Sequence, residues 1–187
     1  MTKIYVENFN NQIMAMFIEN GHECVKELDQ AELLCLDGGA DVSPILYGEE
    51  NTDSISSLSL DIQSLGLITA ARLMKMPIVG ICRGGQILNV ANGGSMVQHI
   101  DGHATYQGHK LKVGNKVWDV TSAHHQHMIP AFKDWTEIYQ SEDGVHEILV
   151  YPRMNKEMSF QPHPEYVGPY DDCQVLFFKM LKEQGMI

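Results

Sequence analysis

Cys82 lies between an apolar run and two glycines, a setting that can expose a reactive thiol. The run Ile78–Ile81 predicts a short buried strand, and residues 86–91 beyond the glycines have helical periodicity. A strand, a sharp turn and a helix would place the turn side chain above a sheet and direct the next N–H groups at a substrate. The helix N-terminus also favours the thiolate, the reactive form of cysteine. The segment predicts a nucleophile, with a structural core cysteine as the alternative.

A nucleophilic cysteine needs a base to take its proton and a group to orient that base. His163 follows a predicted strand end, and Glu165 lies two residues further on. In an extended segment, residues i and i+2 point to the same side, so the carboxylate can reach the imidazole. Such a contact would fix the tautomer and stabilise an imidazolium beside a thiolate. The two prolines that flank His163 stiffen its backbone.

The bulk composition is that of an ordinary globular protein. At 187 residues we expect a single domain spanning 1–187, and 44% hydrophobic and 20% charged residues suit a soluble chain. The net charge of -11 argues against nucleic-acid binding. No apolar run is long enough to span a membrane, and we find no signal peptide. Four scattered cysteines without CxxC spacing favour reduced thiols, and hence a cytoplasmic location.

Strands and helices alternate through the first half of the chain. The predicted elements there are the strand Lys3–Val6, the helix Phe9–Glu19, the strand Leu33–Leu36, the helix Leu60–Met74, the strand at Cys82 and the helix 86–91. This alternation predicts a three-layer α/β fold with a mostly parallel, flavodoxin-like sheet and helices on both faces. The second helix should turn Leu65, Ile68, Ala71 and either Leu73 or Met74 toward the sheet.

The second half has a different pattern. Short β-like runs are predicted at Lys110–Val113, Lys116–Val120, Thr136–Tyr139, Ile148–Tyr151 and Met158–Gln161. Turn signals separate them, which predicts antiparallel hairpins added to the sheet. A final amphipathic helix, 171–184, should pack Val175, Phe178 and Leu181 on the sheet.

Four segments together resemble the class I glutamine amidotransferase-like superfamily, and within it the γ-glutamyl hydrolase branch of peptidase C26 type, which includes γ-glutamyl-γ-aminobutyrate hydrolases. They occur in that family's order and cover nearly the whole chain. They are LDGGADVSPILYGE at 36–49, GICRGGQILNV at 80–90 with its continuation to Gln98, SAHHQ at 122–126 and QPHPE at 161–165.

The resemblance implies roles for individual residues and a reaction. Cys82 would be the nucleophile, His163 the general base and acid, and Glu165 its orienting group. The backbone N–H groups of Gly39 and Arg83 would form an oxyanion hole. The residues expected to bind a small γ-glutamyl substrate are Gln86, Ser122, His124, His125 and Gln126. The implied chemistry is cysteine-dependent hydrolysis of a γ-glutamyl amide through a thioester, with no cofactor and no metal.

Several positions depart from the family pattern. Asp37 replaces the usual proline before the glycine pair, Gly85 stands where many relatives carry histidine, and Pro162 stands where tryptophan is common. The loop between Glu50 and Ser59 is shorter than in hydrolase relatives, which leaves the amine leaving group undetermined. None of these changes removes a catalytic group.

Three alternatives stay open. The histidine-rich second half could hold a metal, but Gly102 argues against a helical ligand pair of His99 and His103. The chain could be a binding module on a degenerate enzyme fold. It could also be the glutaminase component of a two-protein amidotransferase, with a separate synthetase as partner. A homodimer is a further partner that the sequence leaves open.

Overall fold

The computed structural model describes residues 1–105, 107–152, 156–166 and 171–187, with the backbone alone for Asp171. The strands are, in chain order, β1 Lys3–Val6, β2 Glu23–Val25, β3 Leu33–Leu36, β4 Ile78–Ile81, β5 Ser95–Val97, β6 His109–Val113, β7 Lys116–Val120, β8 His127–Ile129, β9 Glu137–Gln140, β10 His146–Tyr151 and β11 Glu157–Phe160. The helices are α1 Asn11–Glu19, α2 Leu58–Leu73, α3 Arg83–Ala91 and α4 Asp171–Glu183. Within the described ranges, none of these helices is long and apolar enough to cross a membrane.

A seven-stranded sheet forms the centre of the fold, in the order β2-β1-β3-β4-β11-β10-β9. The first five strands of that order run parallel, and β10 is antiparallel to both β11 and β9. The predicted α/β fold with a mostly parallel sheet is therefore confirmed. Because β11 pairs with β4, the segment that carries His163 leaves the sheet beside the one that carries Cys82.

The hairpin prediction was only partly right. The strands β9, β10 and β11 extend the central sheet, but β6 and β7 pair with each other in a separate two-stranded sheet. The short strands β2, β5 and β8 were not predicted. The last two pair with each other as a third, two-stranded sheet. Strands of three residues carry too little periodicity to be detected from sequence.

Apolar residues alternate along the central strands and supply two cores. Leu33 and Cys35 of β3 face one core, with Phe17 of α1 and Phe177 of α4. Leu34 and Leu36 face the other core, against Ile68 and Ala71 of α2. Helices thus cover both faces, as the sequence predicts.

Two helices bury faces that differ from the predicted ones. In α2, Leu73 is 82% exposed and Met74, its C-cap, is 44% exposed, so neither packs on the sheet. The buried positions of α2 are Asp61, Ser64, Ile68 and Ala71, a helical stripe whose first two members are polar. In α4, Val175 is 56% exposed, whereas Phe178 and Leu181 are buried as predicted.

Candidate functional site

Cys82 occupies a strained turn between β4 and α3. Its backbone has φ 50° and ψ -112°, a conformation that non-glycine residues rarely adopt, and it is the N-cap residue of α3. The Cys82 N–H donates to the Phe160 carbonyl at 2.8 Å, and its own carbonyl accepts from the Gln86 N–H at 3.0 Å. The turn is therefore tied to both β11 and the helix, as a nucleophile elbow requires.

Two glycines allow the elbow to be this tight. A Cβ on Gly80 would lie 2.1 Å from the Gly84 carbonyl oxygen, and a Cβ on Gly84 would lie 2.5 Å from the Leu36 carbonyl oxygen. The nearest atoms that these Cβ atoms would meet are backbone atoms, so no side chain could move to relieve the overlap. The first turn of α3 consequently sits directly on β3 and β4.

His163 and Glu165 form the contact that their spacing predicts. His163 Nδ1 lies 2.6 Å from Glu165 Oε1, and both side chains are buried. The His163 backbone N–H donates to Thr121 Oγ1 at 2.5 Å, and the ring of Tyr166 stacks on the imidazole with centroids 4.4 Å apart. Thr121 and Tyr166 are positioning contacts that the sequence analysis missed.

A Cβ on Gly38 would lie 3.2 Å from His163 Cε1 and 3.9 Å from Cys82 Cβ, so the structure brings the three residues of the expected triad to one place. Burial by itself would lower the pKa of His163. The charge and hydrogen bond of Cys82, followed by those of Glu165, outweigh burial and raise this pKa to about 10. The arrangement favours an imidazolium at His163, held between the Cys82 side chain and the Glu165 carboxylate.

This environment predicts an alkaline limit to catalysis well above that of a free imidazole. For the amide hydrolysis that the resemblance implies, we expect kcat/KM to fall only as the pH approaches about 10, because the imidazolium would protonate the leaving amine. Glu165→Gln removes a group that raises the pKa of His163, so its alkaline limb should lie at lower pH. The measurement is the pH dependence of kcat/KM, with the exposed Glu183→Gln as the control. An unchanged limb in Glu165→Gln would contradict the assigned role.

The same protonation contributes to folding stability. The folded protein binds the His163 proton more tightly than the unfolded chain does. This contribution is therefore complete below the ordinary histidine pKa of 6.5 and is lost as the pH rises toward about 10.

Gly39 and the first residue of α3 lie close to each other. Gly39 has φ 146°, and a Cβ there would lie 3.5 Å from Arg83 Cδ. Arg83 opens α3, so its N–H is one of the helix N-terminal donors that have no intrahelical acceptor. This placement fits the expected oxyanion hole, which stays a prediction for both residues.

The side chain of Arg83 turns away from solvent into a buried ionic network. It is 1% exposed, and its guanidinium contacts Asp61 at 2.6 Å and Ser64 Oγ at 2.8 Å. Asp61 also accepts the Ser43 N–H at 3.0 Å, which ties the loop after Gly39 to the elbow. Glu7 lies 4.0 Å from the same guanidinium and accepts from Ser64. The sequence analysis missed this network, although Asp61 and Ser64 fall on the buried stripe of α2.

Breaking this network should destabilise the whole site. Asp61→Ala would leave the Arg83 guanidinium buried without its main counter-ion, at an expected cost of about 3–5 kcal/mol in the free energy of unfolding. The matched control is Glu183→Ala, which removes an exposed pair with Lys179 and should cost under about 0.5 kcal/mol. Urea denaturation of both variants measures the difference. Equal stabilities would show that the buried pair has no such role.

Of the predicted substrate-binding residues, Gln86 lies closest to the elbow. Its side-chain amide donates to Gln161 Oε1 at 3.2 Å, and Gln161 Nε2 lies 3.6 Å from Cys82 Sγ. Gln161 was not predicted as a site residue. The two amides together line the base of the turn that carries the thiol.

The segment 122–126 contributes mostly buried side chains. Ser122 Oγ donates to the His103 carbonyl at 2.6 Å, and Gln126 Nε2 donates to Ser54 Oγ at 2.8 Å. His124 is buried beside His103. His125 is the partly exposed member of the predicted set, with Nε2 3.1 Å from Asp41 Oδ2. Asp41 had no predicted role.

The other three cysteines lie in environments that suppress thiol reactivity. Burial raises the pKa of Cys173 to about 12 and raises that of Cys35 as well. Burial also raises the pKa of Cys24, which is half-buried beside the Met14 carbonyl. Cys35 and Cys173 belong to the buried core, and Cys24 packs against it.

These features define a class of protein: an α/β chain with a cysteine at a strand–helix elbow and a histidine–carboxylate pair just after the neighbouring strand. The sequence matches the family model of Peptidase C26 over residues 5–165. The chain belongs to that family.

Individual relatives agree with this assignment. A Mycobacterium tuberculosis protein named as a putative glutamine amidotransferase is 30% identical over 161 residues, 74% of this chain and 52% of that protein. The γ-glutamyl-γ-aminobutyrate hydrolase PuuD of Escherichia coli K12 is 42% identical over 57 residues, 30% of this chain and 22% of that enzyme. The chain thus spans about half the length of the first relative and matches the second over a short segment.

A solved structure shares the fold. It is that of a putative GMP synthase component from Thermoplasma acidophilum, and it superposes with a TM-score of 0.71 at 21% identity. The match covers 99% of this chain and 94% of that one. At this identity the likeness shows the fold alone.

Proposed function

We propose that this protein hydrolyses a γ-glutamyl amide bond, in glutamine or a γ-glutamyl amine, with Cys82 as the nucleophile. The observation that carries the proposal is the position of His163, which contacts Glu165 and lies beside Cys82 at a strand–helix elbow where Cys82 has a positive φ. Family membership and the short match to a γ-glutamyl-γ-aminobutyrate hydrolase support the same chemistry.

The first step would form a thioester. The Cys82 thiolate attacks the γ-carbonyl carbon, and the negative oxygen receives hydrogen bonds from the N–H groups of Gly39 and Arg83. The C–N bond then breaks as the His163 imidazolium gives its proton to the leaving nitrogen, which departs as ammonia or an amine. Glu165 holds the imidazole in the productive orientation throughout.

The second step would release glutamate. His163, now neutral, takes a proton from water, and the resulting hydroxide attacks the thioester carbon. The C–S bond breaks and Cys82 leaves as the thiolate beside the restored imidazolium. In this proposal Gln86 and the partly exposed His125 bind the glutamyl group. Ser122, His124 and Gln126 contribute to the wall through their backbone and their buried contacts.

The test is release of ammonia, amine and glutamate from glutamine and a panel of γ-glutamyl amides. We expect turnover of at least one panel member, and no turnover of the matching α-glutamyl amides, whose scissile carbonyl would lie elsewhere. The preferred amide then identifies the leaving group. Absence of turnover on every panel member would overturn the proposal of a stand-alone hydrolase.

A second candidate is the glutaminase component of a two-protein amidotransferase. This candidate is supported by the fold that the chain shares with a putative GMP synthase component. In that case glutaminase activity would be low for the isolated chain and would rise on addition of a synthetase partner. A γ-glutamyl chloroketone should label Cys82 in either case, since both roles need the same nucleophile. If the chain shows neither turnover nor labelling, the remaining interpretation is a binding module.

A further inference from the structure

Three histidines and a glutamate meet at a place outside the catalytic triad, and of these four residues only His124 also belongs to the proposed wall of the substrate site. His103, His109, His124 and Glu147, here called the histidine–carboxylate cluster, come from four separate segments of the chain. Glu147 lies on β10 with 0% exposure, and His103 and His124 are 3% and 4% exposed. The cluster shares no residue with the triad.

The spacing of three ligand atoms matches a tetrahedral metal site. His103 Nδ1 and His124 Nε2 are 3.2 Å apart, and Glu147 Oε1 lies 3.4 Å from the first and 3.5 Å from the second. Zinc bonds of about 2.0–2.1 Å in tetrahedral geometry separate neighbouring ligand atoms by about 3.3–3.4 Å. The three atoms therefore form one face of such a tetrahedron before any ion is added.

The hydrogen bonds around the cluster leave lone pairs directed into it. His124 Nδ1 donates to the Gln126 carbonyl at 2.9 Å, and His103 Nε2 donates to Asp143 Oδ2 at 2.9 Å. When both imidazoles are neutral, the opposite ring nitrogens, Nε2 of His124 and Nδ1 of His103, are the unprotonated ones. Ser122 Oγ lies 3.4 Å from His103 Nδ1, but its proton goes to the His103 carbonyl. Two nitrogen lone pairs thus face each other across a gap that a cation would fill.

The buried carboxylate of Glu147 lacks well-formed hydrogen bonds. Three histidine nitrogens lie 3.1–3.5 Å from its Oε1, but among the described residues neither carboxylate oxygen has a hydrogen bond of acceptable geometry. A fully buried carboxylate without such hydrogen bonds is costly unless a cation neutralises it. His109 Nε2, 3.1 Å from Glu147 Oε1, is likewise buried without a hydrogen bond of acceptable geometry in the described ranges.

We propose that His103, His124 and Glu147 bind a divalent transition-metal ion, and that the ion is zinc. Two imidazole nitrogens and one carboxylate oxygen are ligands that zinc accepts, and Asp143 and the Gln126 carbonyl supply the outer hydrogen bonds that orient such histidines. A surface cavity of about 240 Å³, lined in part by His103, His109 and Asp143, offers a route of entry. The ion would tie the segment 121–126 to β10 of the central sheet.

The experiment is a competition titration with Zn²⁺ and a chromophoric chelator on metal-free protein. It uses the Cys82→Ala background, so that the catalytic thiolate does not bind the ion. We expect one tight Zn²⁺ per chain and a Tm that rises with free Zn²⁺. Co²⁺ should give the visible spectrum of a four-coordinate ion.

Three variants test whether Zn²⁺ binds specifically at this cluster or unspecifically to other histidines. Glu147→Gln should weaken Zn²⁺ binding by more than about 100-fold, and the exposed Asp143→Asn, which leaves the core intact, by about 10–100-fold. The matched control, His22→Gln, removes a histidine outside the cluster and should bind as the parent does. The proposal would be overturned if Zn²⁺ did not bind stoichiometrically, or if Glu147→Gln and Asp143→Asn both bound it as the parent does. The charge of Glu147 would then be neutralised by a proton on His103.

Discussion

Cys82→Ala should lower γ-glutamyl amide turnover by at least about 10⁴-fold, since loss of the nucleophile leaves only binding and oxyanion stabilisation. The fold should persist, because alanine retains the Cβ and the backbone contacts of the elbow are unchanged. The measurements are steady-state turnover on the preferred amide and circular dichroism of the variant.

Covalent labelling provides a second readout that does not require a known substrate. A γ-glutamyl chloroketone should modify Cys82 selectively, because burial raises the pKa of the other three thiols. Cys24→Ala is the matched control, and it should retain both turnover and labelling. Turnover that survived in Cys82→Ala would refute the thioester mechanism.

Gly80→Ala should destabilise the protein by more than about 3 kcal/mol or prevent folding. The added methyl would lie 2.1 Å from the Gly84 carbonyl oxygen and 2.5 Å from the Gly85 nitrogen. Overpacking against side chains costs about 1–3 kcal/mol, and here the opposing atoms are backbone that holds the nucleophile. Chemical denaturation, or the soluble yield if the variant does not fold, measures the effect.

Gly66→Ala is the control for this substitution. Gly66 lies on the exposed side of α2, and a Cβ there meets nothing within 4 Å. We expect this variant to be more stable by about 0.5–1 kcal/mol, because alanine is the better helix former. If Gly80→Ala were as stable as the parent, β4 and α3 could not pack as closely as the 2.1 Å distance requires.

The two glycine contacts also explain how the nucleophile is held. Gly80 precedes Cys82 on β4 and Gly84 follows it on α3, so the chain folds back on itself around the thiol. Arg83, between them, anchors the first turn of the helix to Asp61. The positive φ of Cys82 is thus maintained by packing on one side and by a buried ion pair on the other.

The sequence by itself determined the features that depend on neighbours along the chain. The strand–turn–helix at Cys82 and the i, i+2 pair of His163 and Glu165 could be predicted because their geometry is local. The alternation of strands and helices predicted the fold class for the same reason. The short strands β2, β5 and β8 escaped prediction because three residues hold no reliable pattern.

Only the tertiary structure decided which polar residues are buried, and with which partners. Asp61 and Ser64 lie inside because Arg83 and Glu7 meet them there, which the apolar pattern of α2 cannot show. His124 and Glu147 belong to segments that become neighbours when β10 joins the central sheet. Contacts of this kind depend on long-range strand pairing and on neutralising buried charge, and neither leaves a periodic signal in the sequence.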